Sequence, residues 1–221
     1  TSLSYLNTMS LSLSATASDE QRIKMLIDLT QQALSDSSRL ISALGQTEIK
    51  FKVNSLRRLI KDDLSRQFDQ NESDMVAVCQ RLDGSKSGQI IFMLPEPSAL
   101  LLIKKLLNEK NLLKEMTEIE EESLTEVGNI IINNCLRYFV KVFHESISGL
   151  IPTLTRAHYE QLLNMLTGDS SENDQDNYLV KINVAIGIYS FNGYILWPGF
   201  LCQVKTGIPV SVTDPCSGIT Q

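Results

Sequence analysis

An α+β domain is predicted by three features of the sequence. Two long stretches, from Ser18 to Gly45 and from Thr117 onward, repeat apolar residues at spacings of three and four, the mark of amphipathic helices. Two pairs of apolar runs flank turn-rich connections, Asp83-Gly84-Ser85-Lys86-Ser87-Gly88 and Phe191-Asn192-Gly193, as β-hairpins do. The order helix, strand, hairpin, helix in the first half is answered by helix, extended segment and hairpin in the second, at an offset of 98 residues.

Residues 1–17 are uncharged and rich in Ser and Thr, without the basic start or apolar run of a signal peptide, and read as a loosely held leader with Met9 as an alternative start. The first helix has Ser18 or Asp19 as its cap, carries Ile23, Leu26, Ile27, Thr30 and Leu34 on its inner face, and stops at Gly45. Thr47–Val53 alternates like a strand. The charged segment up to Asp74 fits a surface bend or short helix as well as continued strand. Met75–Leu82 and Gln89–Leu94 form the first hairpin. Pro95, Pro97 and Ser98 then start a helix running to about Leu106, whose LLLIKKLL is apolar enough to be largely buried.

In the next helix, Thr117 and Glu120 have the spacing of a capping box. At about 100° per residue, Glu122, Glu126, Asn129 and Asn133 share one stripe, with Leu124, Val127, Ile131, Cys135 and Val142 opposite. Thr153–Gly168 mixes strand and helix signals, and Gly168–Asn177 is an acidic surface loop. Tyr178–Ser190 and Gly193–Trp197 form the second hairpin, turning at Phe191–Gly193, and the tail 201–221 is irregular. The domain plan is thus a leader at 1–17 and one domain at 18–221, with halves of about 18–110 and 117–200.

A net charge of −6 and a pI near 5.0 offer no general attraction for nucleic acid or anionic lipid. Cys79, Cys135, Cys202 and Cys216 are scattered and fit reduced thiols in a cytoplasmic protein, Cys135 as core. His144 and His158 lack zinc-ligand spacing. No run of about 18 apolar residues is present to span a membrane. Tyr194, Trp197 and Phe200 read as packing residues, and no phosphate loop, nucleophile elbow or triad points to a small-molecule enzyme.

Glu126-x-x-Asn129, followed after 22 intervening residues by Pro152, resembles the signature of the CheC/CheX/FliY family of phosphatases, which act on the phosphorylated chemotaxis regulator CheY. The wording LTEVGNI from Leu124 to Ile130 is similar to that family's helix. The resemblance implies a CheC-like pseudo-twofold repeat of two α/β halves, a mainly antiparallel sheet, and two long helices side by side. It also assigns roles. Asn129 orients the water that attacks an aspartyl phosphate, and Glu126 docks against the receiver's lysine. Glu122 stands at the rim of the partner surface, and Pro152 shapes the exit from the helix; Asn133, on the same stripe, reads either as a further partner contact or as a solvent-facing amide.

Such a mechanism asks little of the protein, because phosphoryl transfer is governed by positioning and charge stabilisation. A carboxamide donates and accepts hydrogen bonds without bringing negative charge to the phosphoryl group. Mg²⁺ belongs to the receiver, and no cofactor is expected in this chain. Two departures from the family pattern stand out. Glu122 holds a place more often filled by Asp or Ser. In the first half, Asp28 and Gln31 replace Glu and Asn, with Thr30 where glycine is usual and Asn54 in the proline's place, so that half is expected to be inactive. A non-catalytic adaptor that binds a receiver or a flagellar-switch component is the alternative; a CheD-like protein and a second copy of the chain are further candidate partners.

Overall fold

A computed structural model describes residues 19–59, 74–85, 88–109, 115–143, 146–159, 161–162 and 177–198. The leader, the charged segment 60–73, Lys86 and Ser87, His144, the acidic loop up to 176 and the tail from 199, with Phe200, Cys202 and Cys216, lie outside the described residues.

Helix α1 (Asp19–Gly45) leads into β1 (Ile49–Leu59), and β2 (Asp74–Gly84) pairs with β3 (Gly88–Pro95). Helices α2 (Glu96–Leu106) and α3 (Glu118–Phe143) follow, then β4 (Ile147–Gly149), β5 (Thr153–His158), β6 (Asn177–Ile186) and β7 (Tyr189–Trp197). The seven strands form one antiparallel sheet in the order β1-β6-β7-β3-β2-β4, with β5 also on β2. This order is symmetric about the β7–β3 seam. Each half contributes an outer strand that pairs with the inner hairpin of the other half, so the predicted pseudo-twofold repeat is an interleaved one.

The symmetry extends to an irregularity. In β1, Asn54 is an extra residue between Val53, opposite Ile182, and Ser55, opposite Lys181. In the second half Leu150, Ile151 and Pro152 stand opposite only Gln80 and Arg81, again one residue too many, and the strand breaks into β4 and β5. Asn54 and Pro152 are 98 residues apart. Pro152 therefore shapes this strand break rather than the helix exit, which lies at Phe143. Proline suits a broken edge strand, having no N–H to offer a ladder.

Both faces of the sheet are apolar. Val76, Val78, Phe92, Leu94, Val180, Ile182 and Trp197 form the helix-side core with α1, α2 and α3, and the Phe139 and Trp197 rings stack at 4.6 Å. Met75, Ala77, Met93, Tyr194 and Leu196 form the other face, with Leu162 against them. The predicted α3 stripe of Leu124, Val127, Ile131, Cys135 and Val142 is buried. Its capping box closes as expected: the Thr117 N–H donates to Glu120 Oε2 at 2.6 Å, and the Glu120 N–H to Thr117 Oγ1 at 3.3 Å. In α2, Ala99, Leu102, Ile103 and Leu106 are buried, while Glu96 and the pair Lys104 and Lys105 complement the helix dipole at its two ends.

Glycines mark the place where the hairpin expectation needs correction and the place where the expected helix stop at Gly45 holds for a different reason. The second hairpin turns at Gly187-Ile188, where Gly187 has φ +57°, the left-handed value that a two-residue loop requires. Gly193 lies inside β7 because a Cβ there would stand 2.6 Å from Leu94. Likewise α1 stops at Gly45, but the left-handed residue is Gln46; a Cβ on Gly45 would lie 2.7 Å from the Leu106 side chain. The charged Arg57-Arg58 segment, left open by the sequence, continues β1 to Leu59.

Helices α1 and α3 lie side by side, joined by a buried bond from Asn134 Nδ2 to Ser37 Oγ at 3.0 Å. Further out, Asp36 of α1 accepts from the Tyr138 hydroxyl at 2.8 Å and from Arg137 at 3.0 Å, and pairs with Arg39 on its own helix. Burial works against the charge of Asp36, but Tyr138, Arg39 and Arg137 together outweigh it and hold the carboxyl below its ordinary value. Its stabilising effect is therefore complete above the unfolded carboxyl's pKa and disappears as the pH falls through the lower folded value. Asp36→Asn is expected to lower stability by about 1–2 kcal/mol at neutral pH, discounted for the exposed arginines. Urea denaturation at pH 7 and pH 3 checks this: the deficit should shrink at the lower pH.

Candidate functional site

The Glu126/Asn129 pair sits mid-helix on the outward stripe of α3, and the residue between them and the sheet explains why that stripe is fixed in height. Gly128 faces β2 so closely that a Cβ would lie 2.5 Å from Val78. Glycine lets the helix backbone rest on the strand, and its neighbours are presented outward on a rigid base.

Glu126 and Asn133 are exposed and Asn129 is half-buried. Asn129 Nδ2 donates to Glu126 Oε2 at 3.3 Å, and Asn133 Nδ2 donates to Asn129 Oδ1 at 2.6 Å. One turn of separation in each case makes these contacts possible. The chain of amides continues inward: Gln80 Nε2, from β2, approaches Asn133 Oδ1 at 3.4 Å and donates to the Leu150 carbonyl at 2.8 Å. A line of polar groups thus runs from a surface carboxylate to the break between β4 and β5. Exposed Leu150 and Ile151 flank its inner end. Glu122, also exposed, lies one turn before Glu126.

Sequence reasoning missed Gln80. Its signal was available: Val76, Val78, Gln80 and Leu82 alternate on the helix-facing side of β2, and a glutamine among such residues needs a partner. Gly149 makes room for it, since a Cβ there would stand 2.4 Å from Gln80 Nε2.

The first half uses its corresponding residues differently. Gln31 Nε2 donates to the Phe51 carbonyl at 3.2 Å, and its Oε1 accepts from the Val53 N–H at 2.8 Å. Ser38 Oγ accepts from Phe51 N–H, and Ser42 Oγ from Ile49 N–H, at 3.1 and 2.9 Å. These helix side chains occupy the outer edge of β1 in place of a further strand. Thr30, where the second half has Gly128, is buried and bonds back to the Leu26 carbonyl at 2.7 Å. Asp28 is half-buried on the same helix.

Other chemistries find little support. Burial pushes the Cys79 thiol up to about 11, partly offset by a bond with Gln89, and burial also raises Cys135, so neither is primed as a nucleophile. Among the described residues no three His, Cys, Asp or Glu side chains gather as metal ligands, and no helix is long and apolar enough to cross a membrane.

No family model matches the sequence, and no curated protein matches it either. Solved structures do match. FliY of Thermotoga maritima superposes with a TM-score of 0.68 at 14% identity, covering 85% of this chain and 94% of that one. The chain has the CheC/CheX/FliY-like fold. FliM in its complex with FliG from H. pylori shares this fold, with a TM-score of 0.58 at 13% identity over 82% of this chain and 94% of that one. So does a CheC-like superfamily protein from Shewanella, at 0.50 and 13% over 78% and 97%. The expected α+β class, antiparallel sheet and paired helices all hold for this chain.

Proposed function

We propose that this protein accelerates hydrolysis of the aspartyl phosphate on a CheY-like receiver domain. The observation that carries the reading is the bracing of Asn129, whose carboxamide is held by Glu126 on one side and Asn133 on the other while still facing outward. Asn133 uses one lone pair of Oδ1, leaving the second to accept from a water. When the receiver's lysine takes Glu126, Asn129 Nδ2 is released from it and becomes free to donate. The held water attacks phosphorus, the bond from phosphorus to the aspartate oxygen breaks, and inorganic phosphate leaves with a free carboxylate. Mg²⁺ on the receiver neutralises the developing charge; this chain supplies alignment. Gln31, tied to the edge of β1, has no comparable freedom, which supports a single working site in the second half.

The test uses a CheY-like receiver charged with a small acyl phosphate in the presence of Mg²⁺. Wild-type protein should shorten the phosphoryl lifetime, and Glu126→Ala should need at least tenfold more protein for equal acceleration, because it loses a desolvated charge pair. An unchanged lifetime across several receivers would overturn the proposal.

A second reading, a non-catalytic adaptor in a flagellar-switch assembly, is favoured by one observation. The fold agreement with the structure of the FliG–FliM complex, at 0.58, exceeds that with the CheC-like protein at 0.50. Tight binding to a receiver or a FliG-like protein without any change in phosphoryl lifetime would establish it. A cytoplasmic location fits both readings.

A further inference from the structure

We propose that Gln80 is a positioning residue for Asn129, acting through Asn133 across the interface between sheet and helix. The inference rests on the phosphatase reading but is carried by geometry that the reading does not use. Gln80 is 2% exposed, on the face of β2 that otherwise carries Val76, Val78 and Leu82. Burying a carboxamide costs free energy unless its groups are satisfied, and here the satisfaction is uneven. Nε2 meets two acceptors, Leu150 O at 2.8 Å and Asn133 Oδ1 at 3.4 Å, while Oε1 has no partner among the described residues. Rotating the amide by half a turn would place Oε1 against the Leu150 carbonyl, oxygen to oxygen, so its orientation is fixed.

That orientation propagates outward. With Gln80 Nε2 directed at Asn133 Oδ1, the Asn133 amide must present Nδ2 to Asn129, and it does so at 2.6 Å. Asn129 must then accept through Oδ1 and donate through Nδ2, towards Glu126. Each amide has only one arrangement that satisfies its neighbour, so a buried strand residue sets which end of the half-buried Asn129 amide faces Glu126. The Leu150 carbonyl that anchors the series lies in the strand break beside Pro152. Pro152 and Gly149 thereby gain a role: they shape and clear the space in which Gln80 is held.

Two substitutions test this. Gln80→Met keeps the length of the side chain and deletes the amide. Asn133→Ala removes the middle link at an exposed helical position, where folding is not at risk. At saturating protein the maximal rate of receiver dephosphorylation should fall roughly tenfold in each, with the half-saturating concentration unchanged in Gln80→Met, whose site is buried away from any partner, since a small misplacement of a reacting group is costly. The double variant should lose no more than either single one. A second readout needs no activity: the side-chain amide NMR signals of Asn129, identified by their loss in Asn129→Ala, should shift in both variants. If the wild type is active and both folded variants retain full rate and unshifted Asn129 signals, the positioning role is wrong. If the wild type accelerates no receiver yet the Asn129 signals shift in both variants, the amide relay stands and the phosphatase reading fails.

Discussion

Gly128→Val is expected to destabilise the protein by about 3 kcal/mol, the upper end of what overpacking a well-filled interface costs. The contact responsible is specific: a Cβ at 128 would stand 2.5–2.7 Å from all three outer carbons of Val78. The neighbour is short and branched, carried on a central strand between β3 and β5, and cannot swing aside. Helix α3 must rise off the sheet. Gly128→Ala meets the same first contact but gains about 1 kcal/mol of helix propensity, so its net loss should be smaller. Pairing it with Val78→Ala should restore much of the difference by clearing the opposing methyl groups. Denaturant midpoints of the four proteins check the prediction, and full stability of Gly128→Val would refute the close approach on which the site's geometry depends.

The second large effect is at Asn129. Asn129→Ala should reduce acceleration of receiver dephosphorylation about a hundredfold, the scale on which removal of a single preorganised group acts on a transition state. Stability should be nearly unaffected, because the residue is only half-buried and alanine favours helix. Asn129→Gln is the more informative variant. In the first half a glutamine at the corresponding position reaches the strand beneath, bonding Phe51 O and Val53 N–H. The groups 98 residues on are the Gly149 carbonyl and the Ile151 N–H. By that pseudo-twofold correspondence with Gln31, Asn129→Gln is expected to lie back on the strand break and remain nearly inactive despite keeping its carboxamide. Asparagine suits the site because it is too short to do this.

That comparison also explains which parts of the protein were legible in the sequence. The stripes of α3 follow from helical period alone, and Leu124, Val127, Ile131, Cys135 and Val142 are all buried as that period requires. Thr117 and Glu120 announce their own cap because both partners lie within one turn. Local chemistry is what a sequence carries well. The second hairpin misled for the same reason: Asn192-Gly193 has the local form of a turn, but Gly193 is required by Leu94 of a distant strand, and Gly187 makes the turn. Packing against residues far along the chain overrode the local signal.

The site shows the same division. Glu126, Asn129 and Asn133 were found together because they share a helix face. Gln80 lies 53 positions before Asn133, on another element, and enters the site only through the pairing of β2 with the broken edge strand. In sequence Gln31 differs from Asn129 by one methylene; its attachment to β1 depends on the tertiary placement of that strand under α1. Pro152 stands out in the sequence by its spacing from Asn129, but its place in a strand break, matched by the extra residue Asn54 in β1, is a property of the folded sheet.

The most direct measurement is the phosphoryl lifetime of a Mg²⁺-loaded, phosphorylated CheY-like receiver at saturating concentrations of wild-type protein and of Asn129→Ala, with the folding of each verified by circular dichroism. The account predicts a shortened lifetime with the wild type and, with Asn129→Ala, a loss of all but about one hundredth of that acceleration, although both bind. Equal acceleration by the two folded proteins would contradict it.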